Sequence, residues 1–173
     1  NSLAAEPRKL MVSARELHAM MENKTAHPLI FEVSWGGPEG DYEKGHIPTS
    51  MHLNTDVVEY DEFKKRSEAP AKKLGRSTTV EQDQAKGLGP DDALERNWWN
   101  IYPDQYLLPA FAALGIDVNS TVVLYGKDAT AAARAAWALL YAGVENVRLL
   151  NGGLSGWKKA GYEVTKEATE PTP

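Results

Sequence analysis

Gly126-Lys127-Asp128-Ala129-Thr130 joins an apolar, β-branched run at residues 122–125 to an alanine-rich run at 129–142. That pattern predicts a buried strand, a tight loop and the start of a helix. In open parallel α/β sheets, ligands bind beyond the carboxyl ends of the strands, where such loops meet helix N-termini. The backbone N–H groups of the loop and the helix dipole favour an anion there, the dipole alone by roughly 0.3–1 kcal/mol. The same surroundings lower the pKa of a thiol and keep a persulfide ionised. The first position of a loop of this kind often carries a nucleophile, and here it is Gly126. The frame suits anion or thiolate chemistry and lacks a reactive atom.

Neighbouring residues offer few substitutes. Asp128 could be imagined as a phosphoryl acceptor, but no general base or metal set accompanies it. Asp128 or Thr130 reads better as the N-cap of the alanine-rich helix. Arg134 lies more than a turn into that helix, placed either to reach an anion in the loop or to pair with an acidic neighbour such as Glu32. His46, in the turn Gly45-His46-Ile47-Pro48, reads as a hydrogen-bonding turn residue rather than a base. The sequence contains no cysteine, which excludes disulfides, thiolate metal sites and a cysteine nucleophile within the chain. His18, His27, His46 and His52 show no metal-ligand spacing, so neither a metal nor a cofactor is expected.

The elements that must position this loop can be read around it. Ser13 and Glu16 form a capping box that starts a helix over 14–22. Residues 29–33 make a buried strand bounded by Pro28 and by Gly36, Gly37 and Pro38, and 51–53 a brief second one. Leu107, Leu108, Phe111, Ala112 and Leu114 follow helical spacing up to Gly115, with Pro109 either kinking that helix or marking its start. A strand at 147–150, a turn at Gly152 and Gly153 that needs positive φ, and a helix over 154–160 closed by Gly161 complete the series. Trp157 and Tyr162 are expected to pack the last helix onto the sheet. Strand and helix alternate at a spacing that predicts an α/β sandwich with a mainly parallel central sheet flanked by helices.

The 173 residues fit a single domain, 1–165, followed by a Pro-, Thr- and Glu-rich, linker-like tail at 166–173. A stretch at about 60–102 has little periodicity and reads as an elaborated functional or docking loop, with Trp98 and Trp99 near its end. A formal net charge of −5 argues against nucleic acid as a partner. No apolar run reaches the roughly 20 residues a membrane span needs. A soluble chain is expected, its compartment open.

Taken together, Gly45 to Pro48 ("GHIP"), Val122 to Gly126 ("VVLYG"), Arg134 and Val147 to Val164 ("VRLLNGGLSGWKKAGYEV") resemble the rhodanese family of sulfurtransferase domains. The resemblance covers nearly all of the chain outside 60–102 and implies the three-layer rhodanese-like sandwich. In catalytic members the residue after the "VVxY" strand is the cysteine that carries transferred sulfur, and Gly126 stands in its place. The loop also lacks the arginine-rich or "C-x-x-G-x-T/R" pattern of active members. Thr49 and Ser50 stand where the family commonly has Gly-Ala. Tandem rhodaneses pair a cysteine-bearing domain with one that has lost the cysteine, and this chain resembles the latter, most closely the cysteine-free middle domain of bacterial multi-domain members. The resemblance therefore implies a non-catalytic domain of a thiosulfate sulfurtransferase, with another rhodanese domain of the same parent chain as partner and the periplasm as one compartment. A small-oxyanion-binding module built on Gly126 to Thr130, with Lys127 beside it, is the alternative.

Overall fold

The computed structural model describes residues 9–23, 27–59, 101–102 and 104–172. Five strands form one parallel sheet in the order β1-β5-β4-β2-β3: β1 (Met11–Val12), β2 (Leu29–Ser34), β3 (Met51–Asn54), β4 (Thr121–Tyr125) and β5 (Asn146–Leu150). Central parallel strands are covered on both faces and so read as continuous apolar runs. Val122 to Tyr125 in β4 and Ile30 to Val33 in β2 are buried along their length.

Alternation of side chains across the sheet sorts two cores. Phe31, Val33, Val122 and Leu124 face one layer of helices, α2 (Asp104–Ala113) and α3 (Ala129–Tyr141). Ile30, Val123 and Tyr125 face the other, α1 (Ala14–Glu22) and α4 (Gly153–Lys159). The capping box at α1 is complete: Glu16 N–H donates to Ser13 Oγ at 3.2 Å, and Ser13 N–H to the Glu16 carboxylate at 2.8 Å. In α3, Ala131, Ala135 and Ala138 are buried, and such small side chains let the helix axis lie close over β4, β5 and β2. In α4, Trp157 is buried with its indole N–H donating to the Glu163 carbonyl at 2.7 Å, and Tyr162 stacks on His18 from α1 at 4.2 Å.

The expected elements are present with small shifts of boundary. Pro109 lies inside α2 and does not start it. The two-residue edge strand β1 and the 3-10 turns Tyr42–Lys44 and Thr55–Val57 were not legible in the sequence, being too short for any periodicity. The stretch expected as a docking loop, with its two tryptophans, lies outside the described residues from 60 to 100. At its ends, Glu59 and Ile101 form an antiparallel bridge, and Tyr102 N–H donates to the Val58 carbonyl at 2.9 Å.

Residues after α4 turn back across the molecule. His46 and Thr165 exchange two backbone hydrogen bonds of 2.9 Å, and Thr169 N–H donates to the Tyr42 hydroxyl at 3.0 Å. Within the linker-like tail read at 166–173, the Glu167 carbonyl lies 3.0 Å from His46 Nε2, so the segment is hydrogen-bonded to the domain.

Candidate functional site

The loop after β4 meets the loop after β2 at the carboxyl edge of the sheet. Between them is a cavity of about 660 Å³, lined among others by Trp35, Gly36, Glu39, Asp41, Lys127 and Asp128. Asp128 is the N-cap of α3, its Oδ1 accepting from Thr130 N–H at 2.8 Å. Its Oδ2 accepts from the Trp35 indole N–H at 2.6 Å. The Trp35 bond, then the backbone bond to Thr130, holds the Asp128 carboxyl below the usual carboxylate range. Lys127 is 80% exposed, its ammonium 3.6 Å from Asp41. Ala129 and Thr130 are exposed in the first turn of α3. The cradle at the head of α3 thus already contains an anion supplied by the chain.

Gly126 is fixed by close approach. A Cβ placed on it would stand 2.2 Å from the Val33 carbonyl oxygen and 3.3 Å from that of Asp128. Both obstacles are backbone, which a side chain cannot push aside without moving β2 or the loop. The position therefore has no room for a cysteine in this backbone geometry.

Arg134 finds its partners outside the loop. Its guanidinium pairs with the buried carboxylate of Glu59, and its Cζ lies 4.7 Å from the centre of the Trp137 ring. The acidic neighbour is Glu59 rather than Glu32, a partner 75 positions away that spacing within the helix could not reveal.

Glu32 has another role, which sequence reasoning missed. It is the register partner of His52 on β3, and its Oε2 lies 2.9 Å from His52 Nδ1. His52 Nε2 lies 2.9 Å from the Gly36 carbonyl, which also accepts from Ser34 Oγ at 3.2 Å. The pair thereby ties the sheet to the loop that walls the cavity. Next to it, the Tyr125 hydroxyl accepts from Ile47 N–H at 3.0 Å and lies 2.9 Å from Ser50 Oγ. Burial pushes the Tyr125 phenol well up, against the opposing pull of its bonds to Ser50 and Ile47. The signal available was a charged residue inside the apolar run "LIFEVS" and a histidine one strand away; nothing in the sequence gave their register.

His46 is buried, its Nδ1 lying 2.8 Å from the Tyr42 carbonyl and its Nε2 3.0 Å from that of Glu167, with its ring stacked on Tyr42. Among the described residues, no group of three or more His, Asp and Glu side chains is arranged to hold a metal ion, and no helix is long and apolar enough to cross a membrane.

Comparison with known proteins identifies the family and the fold. Residues 13–160 match the rhodanese-like domain family. The thiosulfate sulfurtransferase YnjE of Escherichia coli (strain K12) is 32% identical over 162 residues, covering 90% of this chain and 29% of YnjE. The sulfur carrier protein TtuD of Thermus thermophilus is 44% identical over 85 residues, 46% of this chain and 30% of TtuD. The crystal structure of YnjE superposes with a TM-score of 0.64 at 30% identity, covering 94% of this chain and 32% of that one. The chain spans under a third of the length of these relatives.

Proposed function

Because the chain belongs to the rhodanese family, we propose that it is a catalytically silent rhodanese-like domain of a larger thiosulfate sulfurtransferase, acting by docking to and supporting a cysteine-bearing domain. One observation carries this reading. The Val33 carbonyl occupies the space a side chain on Gly126 would need, at the position where the resemblance puts the sulfur-carrying cysteine of catalytic members. The absence of cysteine anywhere in the sequence supports it. Sulfur transfer from thiosulfate would then take place at a cysteine of the partner domain, and this chain would support that domain and help shape the entrance to its site.

The oxyanion-binding alternative has less support. A bound oxyanion would need the N–H groups at the head of α3, and Asp128 already takes the Thr130 N–H. Glu39, Asp41 and Asp128 line the same cavity, and among the described residues that line it Lys127 is the one cation. The reading of a silent domain is tested by assaying the pure chain with thiosulfate and cyanide. No thiocyanate above the uncatalysed rate is expected; turnover by the chain alone would overturn the reading.

A further inference from the structure

The two helical layers differ in what they show to solvent. On one face of the sheet, α1 and α4 carry Arg15, Glu16, His18, Glu22, Lys158 and Lys159, as surface helices do. On the other face, no charged side chain lies between Asp104 and Asp117, and α3 carries only Arg134, which is paired with Glu59. The large hydrophobic residues this second layer exposes are Leu108 at 50%, Val118 at 60%, Trp137 at 48% and Tyr141 at 59%. A single exposed leucine signifies nothing. A pair of helices whose charges are Asp104 at the start of α2 and the paired Arg134, presenting tryptophan and tyrosine, has the make-up of a binding surface.

The polypeptide also ends its described course at this layer. Residues 165–169 are bonded across Tyr42 and His46, and the Thr172 carbonyl oxygen lies 2.6 Å from where a Cβ on Gly115 would stand. Gly115 has a φ of +73° and closes α2. The chain is thus led from the α4 side of the sheet to the end of α2. The relatives extend well beyond the match, which takes up 29% of YnjE and 30% of TtuD.

We propose that the outward side of α2 and α3 is the seat of a second domain of the same longer polypeptide, delivered there by residues 165–172. This rests on the reading of the chain as one domain of a larger sulfurtransferase and assigns the face by which it docks. A second domain joined through a segment that is itself bonded along this one is held at a raised local concentration. An interface of ordinary interdomain size, about 600–1,500 Å², is compatible with one helical layer.

The absence of cysteine supplies the test. Leu108→Cys, Val118→Cys and Tyr141→Cys are introduced singly into the longer polypeptide, with Lys159→Cys on α4 as the exposed reference. Maleimide labelling is read peptide by peptide by mass spectrometry, after circular dichroism has confirmed folding. Labelling at 108, 118 and 141 is expected to be at least about tenfold slower than at 159, as burial in an interdomain contact requires. Labelling as fast as at 159 overturns the proposal, as does a reading frame with no further domain. Leu108→Cys is the variant most exposed to a folding defect, and Val118→Cys, in the turn after α2, reads the same face without touching the helix. A chain that is silent with thiosulfate yet labels freely at these positions sinks only the docking face; a chain that turns over thiosulfate sinks the underlying reading.

Discussion

Thr49 holds a φ of 64°, the left-handed region that suits glycine and strains a β-branched residue. It stands where the rhodanese family commonly has glycine, and its neighbour Ser50 stands where the family has alanine. The two departures have opposite physical value. Thr49→Gly should relieve the strain and raise stability by about 0.5–1 kcal/mol after the extra entropy lost by glycine is deducted, read as a higher urea midpoint at unchanged m. Ser50→Ala should cost about 1 kcal/mol, because its hydroxyl lies against that of buried Tyr125. Gly126→Cys bears on function. With the Val33 carbonyl 2.2 Å from the new Cβ, the substitution should destabilise by about 1–3 kcal/mol, the cost of overpacking, and fail to create sulfurtransferase activity. A stable variant that yields thiocyanate from thiosulfate and cyanide would show that the loop still holds a working cradle.

At the scale of elements, the helix α3 begins on a carboxylate. Capping by Asp128 is worth about 1 kcal/mol, so Asp128→Ala should lower stability by that order at pH 7. The bond from Trp35, then that from Thr130, depresses the carboxyl, so the contribution is complete above the unfolded value near 4 and is lost as pH falls through the lower folded value. The wild type and Asp128→Ala should therefore converge in urea midpoint only in acid below about pH 4; a difference that stayed constant from pH 7 to 2 would mean that the carboxylate is not the cap. The cap itself was legible, because an aspartate before an alanine-rich run has few other uses. Its bond to Trp35 was not, since the two lie 93 positions apart and meet only when β2 and β4 pair. The Glu59–Arg134 and Glu32–His52 pairs were hidden for the same reason. Strand and helix types follow from local periodicity, whereas the contacts that wall a cavity follow from register between strands distant in sequence.

At the scale of the whole molecule, the rhodanese fold was legible from its motifs. The course of the C-terminal residues was not, because proline, threonine and glutamate are the composition of a spacer whether or not its backbone finds partners. Here it does. The Glu167 carbonyl lies 3.0 Å from His46 Nε2, and Thr169 N–H donates to the Tyr42 hydroxyl, which itself donates to the Ser50 carbonyl at 2.7 Å. The residues from 166 onward thus stabilise the turn carrying Gly45 to Pro48, and through Ser50 and Ile47 they reach Tyr125 beside the loop of Gly126. Truncation after Thr165 keeps the bridge to His46 and removes the two hydrogen bonds that tie Glu167 and Thr169 to His46 and Tyr42, so it should cost about 1–3 kcal/mol at 0.5–1.5 kcal/mol each. The expected readout is a lower urea midpoint together with faster amide exchange at Ile47 and Ser50. A midpoint and exchange rates identical to those of the full chain would mean that the segment is a free spacer after all, and the docking face assigned to α2 and α3 would lose the tether that leads to it.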